Sequence, residues 1–135
     1  METKFNFNSQ VCTSKIQSER LLALGLKKET ADMCHTPFRS NGDGTLDYTE
    51  HCSLPLGKDI PAWSLHRLIE MMPQIIGHLE LAVNDAFVGY YEGRCESEMG
   101  IYWEHTEESS NLYDNIISTI EWLIKEGYFN KEYLV

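Results

Sequence analysis

The segment from Asn111 to Tyr128 constrains the fold more than any other part of the chain. Its apolar residues recur at the spacing of one helical face, and they are Tyr113, Ile116, Ile117, Ile120, Leu123 and Ile124. Asn111 suits the N-cap position, and Gly127 suits the left-handed residue that ends many helices. The segment therefore predicts an amphipathic helix, which needs a second layer of structure to cover its apolar stripe.

A first helix is predicted over about residues 15–24. Ser14 and Gln17 have the spacing of a capping box, and Gly25 follows as a C-terminal stop. The apolar side of this helix is expected to consist of Ile16, Leu21, Leu22 and Leu24. A short turn capped by Thr30 is expected to continue to Pro37.

A second helix is predicted over residues 65–72. Ser64 can cap its start, and Pro73 restricts the preceding residue and closes it. Trp63 and Leu68 are placed to form a hydrophobic staple across the first turn, so both are expected to be buried.

Strands are predicted between these helices. Alternating, aromatic or β-branched residues mark four segments, which are residues 45–53, 78–83, 86–91 and 99–104. The last three form a meander. We therefore expect a single α+β domain over residues 1–135, an antiparallel meander sheet of three to four strands with about three helices packed on it. The first nine residues are interpreted as a flexible arm.

Charge is distributed unevenly along the chain. The net charge of −10 lies wholly in residues 68–135, which contain thirteen acidic and three basic side chains. This argues against nucleic acid or an anionic membrane as the main partner, and no apolar stretch is long enough to span a membrane. The acidic half is interpreted as a solvated surface, or as a face that docks a basic protein or mimics nucleic-acid phosphate.

The cysteines indicate a reducing compartment. Cys12, Cys34, Cys52 and Cys95 are widely spaced, and the first residues lack the apolar segment of a secretory signal. We expect four thiols and a cytoplasmic protein.

Residues 39–50 resemble the calcium loop of an EF-hand. The oxygen ligands would come from Asn41, Asp43, Asp47 and Glu50. Arg39, however, stands where the first carboxylate ligand is required, and Pro37 interrupts the helix that should enter the loop. Asn-Gly and Asp-Gly are also the commonest hairpin dipeptides, so we favour a turn and keep a calcium-binding module as an alternative.

No motif for catalysis or cofactor binding is present in the sequence. Cys34-His35 and His51-Cys52 are adjacent pairs, each of which offers one zinc ligand easily rather than two. Nucleophile elbows, phosphate loops and dinucleotide fingerprints are absent. We therefore expect no cofactor and favour a binding protein over an enzyme, with a small enzyme built from scattered residues as an alternative.

Candidate partner-binding residues lie in the acidic half. Trp122 falls off the apolar stripe of the last helix beside Glu121, which suggests an interface anchor. Glu107 and Glu108 would steer a basic partner towards it. Trp63, Trp103 and Trp122 could also form a ligand platform, although aromatics at helix and strand periods are more often core.

Three segments together resemble a known group of proteins. They are QSERLLALGL at 17–26 with TADM at 30–33, IPAWSL at 60–65 leading to Met72-Pro73, and IEWLIKEGY at 120–128. In this order they are similar to small proteins of unknown function encoded by phages, prophages and mobile elements of gut Bacteroidetes. The resemblance implies a cytoplasmic accessory protein of a mobile element and brings no catalytic residue with it. We expect a non-enzymatic binding module, with its partner and oligomeric state left open.

Overall fold

The computed structural model describes Phe5 and residues 9–39, 46–51, 57, 59–93 and 101–135. The helices are α1 (Lys15–Ala23), α2 (Leu65–Met71) and α3 (Leu112–Glu126). The strands are β1 (Met33–Arg39), β2 (Leu46–His51), β3 (Ile60–Ala62), β4 (Ile75–Ile76), β5 (Leu79–Val83), β6 (Phe87–Gly93) and β7 (Ile101–Glu108). Two short 3-10 helices span Lys28–Thr30 and Lys131–Tyr133. The predicted α+β class is confirmed.

The larger sheet is the expected meander. Its strands are antiparallel in the order β4-β5-β6-β7, so chain neighbours are also neighbours in space. β7 lies at one edge of this sheet, and α3 follows it and packs on β6 and β7.

A second, three-stranded sheet has the order β2-β1-β3. The prediction of a turn from Thr30 to Pro37 was wrong, because the 3-10 turn ends at Thr30 and β1 runs through Pro37 to Arg39. Pro37 is tolerated there because β3 pairs only with residues 33–35, which leaves Pro37 paired with β2 alone.

The ends of α3 form as the sequence predicts. The Asn111 side chain accepts a hydrogen bond from the Asp114 backbone N–H at 3.0 Å. Gly127 adopts a left-handed φ of 80°, and the Tyr128 N–H donates to the Leu123 carbonyl at 2.8 Å. Local hydrogen bonds therefore close both ends of the helix and satisfy terminal backbone groups at Asp114 and Leu123.

The buried side of α1 differs from the prediction. Ser14 and Gln17 do form the capping box. Ile16, however, is 79% exposed, and Gln17 and Ser18 are buried with Leu21. The Gln17 amide donates to Asp114 of α3 at 2.7 Å, so polar contact with α3 sets the orientation of this helix.

Trp63 and Leu68 are fully buried, as predicted for the start of α2. The Ser64 hydroxyl caps the helix by accepting from the Arg67 N–H at 3.2 Å. The Trp63 indole N–H donates to the Thr30 hydroxyl at 2.9 Å, which satisfies its polar edge. Both residues belong to one core with the inner residues of α3 and β6.

Among the described helices, none has the length and apolar character needed to cross a membrane.

Candidate binding surface

Glu121 forms an ion pair within the chain. Its carboxylate lies 3.1 Å from the Arg20 guanidinium of α1, and the same guanidinium donates to the Ser118 hydroxyl at 3.0 Å. The Glu121 side chain remains 53% exposed. This predicted site residue therefore lies at the contact between α1 and α3, where its charge already has an opposite partner.

Trp122 is half-buried against the larger sheet. Its ring stacks on the His105 imidazole, with centroids 4.4 Å apart and planes at 16°. The Tyr90 and Tyr128 rings each lie 5.7 Å away. Trp122 thus contributes to the packing of α3 on β6 and β7, and part of its ring stays accessible.

Glu107 contacts the same histidine on which Trp122 stacks. A carboxylate oxygen of Glu107 lies 3.2 Å from His105 Nε2. Burial lowers the pKa of His105, and this outweighs the opposite effect of the Glu107 carboxylate. The lowered pKa favours the neutral imidazole, and Glu107 and Trp122 meet around this ring on the face that α3 covers.

Glu108 lies on the opposite face of the sheet, which we call the outer face. A β-bulge in β7 produces this arrangement, since Tyr90 pairs with His105 whereas Tyr91 pairs with Trp103, leaving Glu104 as the extra residue. The bulge reverses the alternation of side chains along β7. Trp103 consequently shares the outer face with Glu108, although the two are an odd number of residues apart.

Three aromatic rings form a row on the outer face. Trp103 meets Phe87 edge to face at 5.2 Å and 87°, and it meets Tyr91 at 5.3 Å and 46°. The Tyr91 hydroxyl donates to the Glu80 carboxylate at 3.0 Å, which raises the pKa of Tyr91. All three rings are half-buried, so they are held by neighbours and still reach solvent.

Gly89 lies beneath this row, where there is no room for a larger side chain. A Cβ atom there would lie 2.4 Å from the His105 carbonyl oxygen and 3.2 Å from Trp103 Cε3. Only glycine leaves room for β7 and the indole to approach this closely.

A cavity of ≈ 250 Å³ opens beside the row and is lined by Phe87, Trp103, Thr106 and Glu108. Phe87 and Glu108 are cross-strand partners, and Thr106 lies two residues earlier on the same side of β7. The sequence has no Lys or Arg over residues 75–93 or 101–108, where it has six carboxylates. The outer face is therefore both aromatic and acidic.

The sequence identified this surface only in part. Glu108 was predicted, and Trp103 was considered as a platform but assigned to the core. Phe87, Thr106 and Glu80 were missed. The signal for Phe87 was an aromatic residue two positions before Gly89, with Tyr91 two positions after it, a spacing that places all three on one face.

The calcium alternative falls partly outside the described residues, which include neither Asn41 nor Asp43. Asp47 and Glu50 lie on β2, paired with Phe38 and His35 of β1. The loop is thus flanked by two antiparallel strands, whereas an EF-hand has a helix on each side. In the described part of the chain, no group of three or more His, Cys, Asp or Glu residues could hold a metal ion.

Cys12 and His35 are the described pair that most resembles a nucleophile with its base. Cys12 Sγ lies 4.0 Å from His35 Nε2, which is also 2.8 Å from the Thr13 carbonyl oxygen. A carbonyl oxygen only accepts hydrogen bonds, so Nε2 carries a proton and cannot take one from Cys12. Both side chains are buried, and this geometry does not support nucleophilic catalysis.

No protein-family model matches the chain, and neither the curated proteins nor the solved structures give a significant match. The resemblance to proteins of phages and mobile elements stays a prediction.

Proposed function

We propose that the protein is a non-enzymatic binding module that docks a basic segment of a protein partner on the outer face of the larger sheet. One observation carries the proposal. Trp103, Phe87 and Tyr91 stand in a row beside Glu108 and Glu80, on a part of the chain that contains no lysine or arginine.

The two kinds of side chain would act at different distances. The carboxylates attract a basic segment over a Debye length of about 8–10 Å and so increase the association rate. The aromatic rings act only in contact, where a large side chain contributes apolar area and slows dissociation. A row of aromatic rings beside two carboxylates therefore favours a basic partner over a neutral one.

Trp103 replaces Trp122 as the main anchor in this proposal. Trp122 is stacked on His105, and Glu121 is paired with Arg20, so both already have partners within the chain. Glu107 lies on the face that α3 covers, which leaves Glu108 as the predicted carboxylate best placed to meet a partner.

The cellular context is also a proposal. The three segments that resemble mobile-element proteins favour an accessory protein of such an element, acting in the cytoplasm.

The test compares capture by the wild-type protein with capture by two site variants and one control. Glu108→Gln removes the charge at the cavity, and Trp103→Leu removes the anchor. Glu19→Gln removes an equal charge from the exposed surface of α1. Proteins retained from a bacterial lysate are quantified by mass spectrometry, and binding kinetics are then measured at low and high salt.

We expect basic proteins to be retained by the wild-type protein and by Glu19→Gln but depleted on both site variants. Glu108→Gln should mainly slow association and weaken its salt dependence, and Trp103→Leu should speed dissociation by about tenfold or more. Partners whose binding is indifferent to salt and to both site substitutions would refute the proposal, and the acidic half would then be a solvated surface.

A further inference from the structure

We infer that the cavity between Phe87, Trp103, Thr106 and Glu108 is a receptor for the primary ammonium group of a lysine side chain on the partner. The inference rests on the proposed function and adds the chemical group that the outer face recognises. Its evidence is that two aromatic residues, a threonine and a glutamate line a single cavity of ≈ 250 Å³.

The two rings provide walls at a right angle. Phe87 and Trp103 meet at 87° with centroids 5.2 Å apart, so a group in the corner can approach both rings at once. A cation within about 6 Å of a ring centroid is attracted by the negative face of the π-system. Trp103 is held in place by Tyr91 on one side and by close packing over Gly89, so the corner is formed before a ligand arrives.

Two acceptors complete the cavity. Glu108 stands directly across from Phe87 in the ladder, and Thr106 lies two residues before Glu108 on the same side of β7. A lysine ammonium has three N–H donors, which a carboxylate and a hydroxyl can accept while the rings contact the remaining surface. Among the described residues, none forms an ion pair with Glu108.

The right-angled corner favours lysine over arginine. A guanidinium is planar and stacks flat on a single ring, whereas an ammonium is compact and can contact two perpendicular faces. The apolar stem of lysine can also lie along the indole, as long charged side chains commonly do on apolar surfaces.

The test uses three acetylated, amidated tripeptides of the form Gly-X-Gly, in which X is lysine, arginine or norleucine. Norleucine keeps the length of the lysine stem without the charge. Binding is followed by heteronuclear NMR of the indole N–H signals, assigned by replacing Trp63, Trp103 and Trp122 singly with Phe. Trp63 is fully buried, so its signal serves as an internal reference.

We expect the lysine peptide to shift the Trp103 signal saturably. The norleucine peptide should bind at least about tenfold more weakly than the lysine peptide. The arginine peptide should bind more weakly than lysine. Equal binding of lysine and norleucine would show an apolar slot and overturn the inference. Tighter binding of arginine than lysine would overturn the assignment to an ammonium group.

A matched pair of variants separates a local site from net charge. Glu108→Gln and Glu107→Gln remove the same charge from neighbouring positions on β7, but only Glu108 lines the cavity. We expect Glu108→Gln to weaken lysine binding about fivefold and Glu107→Gln to leave it nearly unchanged. Equal effects of the two would overturn the inference. Neither substitution alters a buried core residue, so both variants can be compared as folded proteins.

The two proposals fail in different ways. Saturable lysine binding, together with partner capture that ignores Trp103 and Glu108, would leave the cation site intact and refute the docking function. Partner capture that depends on both residues, without any response of Trp103 to the lysine peptide, would refute the ammonium site alone.

Discussion

Gly89 determines how closely β6 and β7 approach each other beneath the aromatic row. Any Cβ at this position would overlap the His105 carbonyl oxygen at 2.4 Å, and backbone atoms of a paired strand cannot swing aside as a flexible side chain can. The position of the Trp103 indole follows from the same close approach, because the ring lies where a side chain of residue 89 would otherwise stand.

Gly89→Ala should lower the free energy of unfolding by ~1–3 kcal/mol, the usual cost of overpacking a filled site. Urea denaturation of the variant and the wild-type protein measures this. Gly93→Ala is the control, since a Cβ there would meet Tyr91 at 3.6 Å, an ordinary contact. Similar losses in the two variants would show that the overlap with the His105 carbonyl does not determine the effect.

The contact between α3 and β7 contains a titratable group. His105 is stacked on Trp122 and lies beside Glu107, and its side chain is 13% exposed. Burial holds its pKa below the ordinary value of 6.5, so the folded protein takes up this proton at a lower pH than the unfolded chain does. Stability is then lost as the pH falls through 6.5 towards the folded pKa, because the unfolded chain binds the proton first.

Lowering the pH from about 7.5 to about 5 should therefore reduce the urea midpoint of the wild-type protein, and His105→Gln should reduce this pH dependence. For each protein, the urea midpoint at the lower pH is subtracted from that at the higher pH, and the two changes are compared. A loss of stability that His105→Gln causes equally at both pH values then cancels. A pH dependence unchanged by His105→Gln would contradict the expected role of the imidazole.

Helix ends could be predicted because their causes are local. Ser14, Ser64, Asn111 and Gly127 act through hydrogen bonds or backbone angles within a few residues, and the structure places each as expected. Burial of Trp63 followed from the same local pattern.

The faces of elements were predicted less well, because tertiary contacts decide them. Gln17 is buried on α1 in place of Ile16 because its amide reaches Asp114, far away in the sequence. The bulge at Glu104 arises from the pairing of β6 with β7, so sequence alternation alone could not assign Trp103 to the outer face. The aromatic row was missed for this reason.

The described strands form two sheets, and the antiparallel pair of β1 and β2 belongs to the smaller one. The segment that resembles a calcium loop, residues 39–50, begins at the last residue of β1 and extends into β2. Arg39 occupies the position of the first calcium ligand, so the loop lacks one carboxylate that the coordination requires.

Millimolar calcium should leave the melting temperature unchanged, because the loop lacks its first carboxylate ligand. Only an ion that binds the folded state raises the melting temperature by mass action. Differential scanning calorimetry with calcium, and with a chelator as the control, tests this. A calcium-dependent rise that Glu50→Gln abolishes would instead establish the calcium-binding alternative.

The bulge in β7 determines the faces of the sheet on which Trp103 and His105 lie. Between Trp103 and His105 the strand changes phase, so the chain can direct Trp103 outward and His105 towards α3. Without the bulge, Trp103 and His105 would lie on the same side of the sheet, because residues two apart on a regular strand share a face. A one-residue slip moves the side chains of a strand to the other face, and the extra residue at Glu104 produces this shift within β7, so that Trp103 lines the outer cavity while His105 packs on Trp122.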